Sequence, residues 1–270
     1  MADTAHKLTG ILRAAAGKKD PKHFTSAVIA AGGASTRMDG NINKLLLDLD
    51  GIPVIARTLL SYQSAECIKE IVISASDELA PEIRSICEKY EITKLSKIVS
   101  GGETRADSVR NGLEAIDPKA DYIAVGDGAR CLTTPEIIDK ICHEAYLHEC
   151  AIAAMHAQDT VKIGDKNAFI ESTPERKHVW YAQTPQVFKV TVFRAAAQVG
   201  ADEKIKSTDD SQLVEHIGYP VKLIDCGPEN LKITTRFDLI CAKAILDARK
   251  LDLEEKRDRE DGRYEDRSGV

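Results

Sequence analysis

The sequence predicts an α/β protein built on a mostly parallel sheet with flanking helices. Three observations carry this. Short apolar runs that suit strands buried on both faces recur along the chain, stretches with apolar residues spaced at three and four fall between them, and small-residue turns follow several of the runs. Strands that alternate with helices in this way imply right-handed crossovers and a parallel sheet.

The first strand is read from Thr25 to Ala31 (TSAVIAA), bounded by Gly32-Gly33. Further strands are expected at Glu70 to Ser74, Lys97 to Ser100, Tyr122 to Gly126, Ala151 to His156 and Val221 to Asp225. Helical spacing marks Pro53 to Tyr62, Glu78 to Tyr90, Arg105 to Ile116 and Pro135 to His148, the last with Thr134 as cap and Pro135 at the first helical position. Gln158 to Trp180 breaks the rhythm with short polar-interrupted runs around Gly164-Asp165, which suits a hairpin arm projecting from the body. Its partly apolar faces need a partner, and the same arm of a second subunit is the simplest. A helix from Arg236 to about Lys250 closes the fold. Residues 1–23 form an N-terminal extension, 24–250 one domain with its arm at about 158–180, and 251–270 a tail of mixed charge expected to be disordered or a frayed helical extension.

Composition bounds the function. The 270 residues carry a formal charge of −6, with 43% apolar and 30% charged residues, enough for a sizeable core and a solvated surface. No membrane span or secretory h-region is legible, and the seven cysteines are an odd number without a C-x-x-C pair. These features point to a cytoplasmic protein with thiols rather than disulfides. A net acidic chain is a poor non-specific ligand for nucleic acid, so neither a nucleic acid nor a membrane is expected as partner, and an anionic substrate must meet a local cluster of cations.

Residues 27–44 (AVIAAGGASTRMDGNINK) run from a strand through a small-residue loop to Arg37 and Lys44. Small residues let backbone N–H groups approach phosphate oxygens, and two cations can neutralise a triphosphate. The segment is neither a Walker A loop nor G-x-G-x-x-G. A plain strand-to-helix turn with solvated cations is the bland alternative. SGGETRADSVRNGL, from Ser100, follows a second strand and offers Arg105 and Ser108 near a helix N-terminus, with Thr104 and Asp107 placed as a capping box. Asp127 and Arg130, in VGDGARCL, follow a third. They suit a ribose hydroxyl or Mg²⁺ and a phosphate respectively, or simply each other. Later come Arg176 in the arm, WYAQTPQVF with Trp180 read as core and Thr184-Pro185 as turn or cap residues, and TDDSQLVE with Thr208-Asp209 read likewise. NLKITT follows, with Lys232 on an alternating strand.

In this order, SGGETRADSVRNGL, QTPQVF, TDDSQLVE and NLKITTRFDL resemble the 2-C-methyl-D-erythritol 4-phosphate cytidylyltransferase family, from about Thr25 to Ala248. The resemblance implies a Rossmann-like sheet and a dimerisation arm. It implies transfer of a cytidylyl group from CTP, with Mg²⁺ carried mainly on the CTP phosphates, to methylerythritol phosphate in non-mevalonate isoprenoid synthesis. Arg37, Lys44 and Lys232 would be catalytic; Ala30, Ala31, Gly32, Gly33, Gly102, Glu103 and Ser108 would bind the nucleotide. Asp127, Arg130 and Thr208 would hold the polyol phosphate, joined by Thr160 and Arg176 from the partner's arm. Two departures stand out: the loop AAGGASTRM is one residue longer than the family's usual A-A-G-x-G-x-R-M, and H-D-x-A-R-P appears as GDGARC. A ribitol-5-phosphate cytidylyltransferase and a catalytically weakened nucleotide-binding relative are the alternatives. A nicotinamide oxidoreductase is disfavoured by the missing glycines.

Overall fold

The computed structural model describes residues 23–32 and 43–260. The chain enters on β1 (Thr25–Ala31), and a 3₁₀ turn at Lys44–Leu46 leads to the small ladder of β2 (Asp48–Leu49) and β3 (Ile52–Pro53). Then α1 (Val54–Ser64), β4 (Ile68–Ala75), α2 (Ala80–Lys89), β5 (Leu95–Ser100), α3 (Arg105–Ala115) and β6 (Tyr122–Asp127) alternate as the periodicity predicts. They are followed by α4 (Pro135–His148), β7 (Cys150–His156), and the hairpin of β8 (Ile163–Gly164) and β9 (Ile170–Ser172). The chain closes with β10 (Trp180–Lys189), α5 (Val190–Asp202), α6 (Ser211–His216), β11 (Lys222–Asp225) and α7 (Arg236–Glu260).

Seven strands form one sheet in the order β11-β7-β10-β6-β1-β4-β5. Every neighbouring pair is parallel except those made by β10, which runs antiparallel to both β6 and β7. The two-residue period of a strand distributes the core to both faces. Ala27, Ile29 and Ala31 of β1, with Ile71 and Ile73 of β4, join α1 and α4 in one apolar layer; Val28, Val72 and Val125 join α3 and α5 in the other. Phe188 and Phe193 stack in this second layer with centroids 4.9 Å apart. Burial on both faces is why these strands read as unbroken apolar runs.

The structure departs from the sequence reading in five places. WYAQTPQVF is a single strand, β10, whose register shifts between Ala182 and Gln186; Thr184-Pro185, joined by a cis bond, lies within it rather than in a turn. Helices α5 and α6 were not read from the sequence. Trp180 is half-buried, with its ring against His156 rather than in the core. Lys232 is not on a strand: residues 231–234 form an irregular strap pinned by the Ile233 N–H on the Ala129 carbonyl, because a buried Ile233 and the amide at Asn230 already anchor it. Helix α7 runs to Glu260, ten residues past the expected end; residues 261–270 lie outside those described.

The hairpin is present but short, and its turn is held by Asp165, which accepts the N–H groups of Asn167 and Phe169. Ile163, Phe169 and Ile170 are exposed on it. All seven cysteines are free thiols, and among the described residues no helix is long and apolar enough to cross a membrane.

Candidate active site

Parallel strands end on one edge, and a cavity of about 420 Å³ opens there. The carboxyl ends of β1 and β6 and the loop after β5 line it, as expected for a ligand site of an open α/β sheet. Of the residues singled out from the sequence, Ala30, Ala31, Gly32, Lys44, Gly102, Glu103, Ser108, Asp127 and Lys232 all reach it. Gly33 and Arg37 lie outside the described residues. Arg130 stands behind Asp127, off the lining. Thr208 lines a separate groove of about 760 Å³ beside Trp180 and Tyr219. Thr160 and Arg176 are exposed on the hairpin arm, where the Arg176 guanidinium donates to the Gln158 carbonyl at 2.8 Å.

Helix α3 builds the upper wall. Thr104 caps it by accepting the Asp107 N–H, while the Asp107 carboxylate reaches back to the Thr104 N–H, a reciprocal box with Asp in place of Glu. Ser108 folds back over the helix start: its hydroxyl donates to the Thr104 carbonyl and accepts the Gly102 N–H, both at 3.0 Å. Gly102 has to be glycine here, since a Cβ would sit 2.2 Å from that of Asp107. The result is a tight loop whose backbone and Ser108 hydroxyl face the cavity.

The floor is an ionic network around Asp127. Its carboxylate lies 2.9 Å from Lys232 Nζ, 3.3 Å from Arg105 Nε and 3.7 Å from Arg130 Nε. Burial alone would push its pKa up, but the three cations prevail and hold it at about 2. Arg105 extends the network to the buried Asp210, whose Oδ2 is 2.8 Å from Nη1 without a well-aligned hydrogen bond. Burial opposes the Arg105 charge, yet the two carboxylates outweigh it. For Asp210 burial wins and raises its pKa, with Arg105 opposing.

Buried amides set the spacing. Asn230 donates to Gln183 Oε1 and to the Thr184 carbonyl, accepts the Thr133 hydroxyl, and offers its own carbonyl to Arg130 at 2.5 Å. It thereby ties the strap carrying Lys232 to the Arg130 loop and to β10. Gln186 accepts the N–H groups of Asp210 and Ser211 and donates to Asp209. Asp210, Gln186 and Asn230 were not singled out from the sequence, whereas Arg105, noted there beside Ser108, lines the cavity with it. The three lie inside segments already notable there, but a buried polar side chain's partners are distant in sequence and leave no local spacing to read.

The departure at Gly126 has a steric cause. A Cβ there would lie 2.3 Å from the buried Tyr62 hydroxyl, so the side chain of α1 fills the space that a residue at this position would need.

Cations and carboxylates therefore balance closely on the cavity wall. Lys44, Arg105 and Lys232 face Glu103 and Asp127, and an incoming polyanion meets positive charge held in place rather than drawn from solvent. Among the described residues no group of three or more His, Cys, Asp or Glu could cage a metal. Comparison with known proteins agrees with this chemistry. The family model of 2-C-methyl-D-erythritol 4-phosphate cytidylyltransferase (IspD) matches residues 25–248. The protein of that name from Microcystis aeruginosa is 42% identical over 222 residues, and that from Caldanaerobacter subterraneus subsp. tengcongensis 40%; each alignment covers 82% of this chain and 98% of the relative. The crystal structure of 4-diphosphocytidyl-2C-methyl-D-erythritol synthase from Anaerococcus prevotii superposes with a TM-score of 0.75 at 32% identity, covering 84% of this chain and all of that one. The Thermus thermophilus cytidylyltransferase superposes at 0.67 with 25% identity, covering 82% and 98%. With the motifs, the sheet order and the cavity all in agreement, the chain belongs to the 2-C-methyl-D-erythritol 4-phosphate cytidylyltransferase family.

Proposed function

We propose that the cavity is the site at which CTP and 2-C-methyl-D-erythritol 4-phosphate are joined, giving 4-diphosphocytidyl-2-C-methyl-D-erythritol and pyrophosphate. The observation that carries the reading is the meeting of Lys44 and Lys232, from opposite ends of the chain, on one cavity whose other wall is the Gly102–Ser108 turn. That turn offers hydrogen-bonding groups to a base edge, and the lysines offer charge to phosphates.

A phosphate oxygen of the polyol phosphate attacks the α-phosphorus of CTP in line; the new P–O bond forms as the bond to the β-phosphate breaks. A phosphate monoester is already anionic near neutral pH, so no side chain has to remove a proton. What remains for the protein is positioning and charge stabilisation. Lys44 serves the triphosphate and the departing pyrophosphate. Lys232 serves the α-phosphate, its ammonium oriented by Asp127. Arg130 and Asp127 set the polyol side of the cavity. Arg37 and Gly33, from the loop before Lys44, complete the phosphate cradle in this reading.

Two carboxylates on the wall, one already engaged by three cations, suit a divalent ion that arrives with the nucleotide rather than one caged by protein. Asp127 would be its protein neighbour, and when bound Mg²⁺ supplies charge neutralisation on the phosphates.

The arm extends the proposal to a cytoplasmic homodimer. Thr160 and Arg176 do not line their own subunit's cavity, and the exposed Phe169 and Ile170 on the same hairpin arm give it an apolar surface to bury on a second copy. In this reading residues 24–250 are the nucleotidyltransferase domain, and 1–23 and 251–270 are appendages to it. The relatives named above favour methylerythritol over ribitol phosphate. Pyrophosphate release with CTP and Mg²⁺ tests both choices: turnover with methylerythritol 4-phosphate well above that with ribitol 5-phosphate is expected, and the reverse order would overturn the substrate assignment.

A further inference from the structure

At the opposite end of the sheet from the cavity, α4 turns Asp139, Cys142, His143 and Tyr146 toward the segment that joins α1 to β4. The spacing of three, four and seven places all four on one helical face. Cys67 lies in that segment, just before β4. The Asp139 carboxylate accepts the N–H groups of Glu66 at 3.0 Å and Cys67 at 2.8 Å, which fixes the backbone under the thiol. The Cys67 sulfur is 3.6 Å from His143 Nε2, and the Cys142 thiol and the Tyr146 hydroxyl stand close enough to act on its acidity. That hydroxyl is itself held at 2.7 Å by Thr25. Three polar side chains of one helical face thus gather around one sulfur. Lys94, whose ammonium is anchored on the Ala65 carbonyl, adds positive charge nearby, while burial and Asp139 act in the opposite sense.

The two thiols differ in access. Cys67 is 9% exposed beneath the exposed His143, whereas Cys142 is fully buried behind it. They differ in acidity as well. Hydrogen bonding from Cys142 leads the effects that lower the Cys67 pKa, while the same contact and burial raise that of Cys142. Elsewhere burial pushes Cys87, Cys131 and Cys150 up to about 11. A thiol near the surface with its acidity increased, next to a fully buried thiol with its acidity decreased, is the arrangement of an attacking and a resolving cysteine.

We propose that Cys67 is a peroxide-reactive thiol, oxidised by hydrogen peroxide and resolved by Cys142 to a Cys67–Cys142 disulfide. In the first step the Cys67 thiolate attacks one peroxide oxygen, an S–O bond forms, the O–O bond breaks, and hydroxide leaves and is protonated to water. The sulfur is oxidised by two electrons to a sulfenic acid as the peroxide is reduced. In the second step the Cys142 sulfur attacks the Cys67 sulfur; the S–S bond forms, the S–O bond breaks, and the leaving hydroxide takes the Cys142 proton as a second water.

The test treats the full chain with substoichiometric hydrogen peroxide, blocks free thiols with iodoacetamide and maps the peptides by mass spectrometry. The Cys67–Cys142 linked peptide should be the first oxidised species. In Cys142→Ser, dimedone should trap a sulfenic acid at Cys67. His143→Gln should slow oxidation of Cys67 by about threefold or more while leaving the other thiols unchanged, because it removes the ring nitrogen that lies 3.6 Å from the sulfur. Should Cys142→Ser fail to fold, the wild-type time course decides alone. Oxidation of Cys226 or Cys241 ahead of Cys67 overturns the proposal, as does Cys67 sulfinic acid with Cys142 still open to alkylation after unfolding.

Discussion

Replacing Asp127 by asparagine keeps the shape of the side chain and removes the charge on which three cations converge. Its carboxyl pKa stands at about 2 against an ordinary 3.8, a difference worth about 2.4 kcal/mol once the group is ionised in both states. The sign follows from the lowered value. The unfolded chain binds the proton more readily, so the stabilisation is present in full above about 3.8 and fades as pH falls through about 2. At pH 3 a little over half remains, about 1.3 kcal/mol. Asp210 titrates in the opposite sense, since its raised pKa favours the folded state at low pH and loses that contribution as pH rises. Comparing the two proteins at each pH removes most of the Asp210 contribution. Urea unfolding at pH 7, 5 and 3 should therefore show Asp127→Asn less stable by about 2 kcal/mol or more at the two higher pH values, with the gap narrowing by about half at pH 3. A gap below about 0.5 kcal/mol at pH 7, or one that does not change down to pH 3, would refute the claim that charge pairing rather than shape holds Asp127 in the floor.

Lys44→Ala should lower kcat about a hundredfold or more while weakening CTP binding far less, because the charge it meets grows in the transition state; near-normal turnover at saturating CTP would make it a surface residue. Arg105→Met leaves the buried Asp210 without its cation and should cost about 3–5 kcal/mol in urea unfolding; adding Asp210→Asn should recover much of the loss, and no recovery would mean that Arg105 acts through packing. Gly126→Ala should destabilise by about 1–3 kcal/mol by overpacking against Tyr62, and Tyr62→Phe should relieve part of it, since the hydroxyl is the clashing atom. If the arm completes the neighbour's site, mixing inactive Arg176→Ala with inactive Lys44→Ala should restore activity in hybrid dimers; a mixture that stays inactive after exchange is confirmed by mass argues that both residues serve one subunit.

What was legible in the sequence follows from the range of the interactions involved. The parallel core was readable because β1, β4 and β6 are buried on both faces and so carry continuous apolar runs. The caps of α3 and α4 were readable because Thr104 with Asp107, and Thr134 with Pro135, act within one turn. The cavity residues at the ends of β1 and β6 and in the loop after β5 were readable because ligand sites in such sheets gather at strand ends. Strand β10 was obscured by its own chemistry: Gln183, Thr184, Pro185 and Gln186 interrupt the apolar pattern, although all but Pro185 spend their polar groups on buried partners in the site. The polar interruption that looked like a turn is the part of the sheet that holds Asp127 and Asn230 in place.

Lys232, read from the sequence as a strand residue, lines the cavity from an irregular strap instead. Alternation in NLKITT suits a strand, and on a strand Leu231 and Ile233 would share one face. The strap instead places Ile233 in the core and Leu231 against it, and is fixed by Asn230 rather than by a ladder. An irregular backbone can bring Lys232 over the end of β6, where Asp127 receives it at 2.9 Å, while a strand in the sheet would have carried the residue along the ladder. The buried Asn230 amide and the Ile233 N–H on the Ala129 carbonyl provide the hydrogen bonds that the missing ladder does not, and this is what permits the strap to lie so deep. The requirement is strict: Asn230→Ala would leave the Thr133 hydroxyl, the Thr184 carbonyl and the Gln183 amide each short of a partner at once. The placement of the Lys232 ammonium on the cavity wall thus depends on an uncharged residue two positions before it.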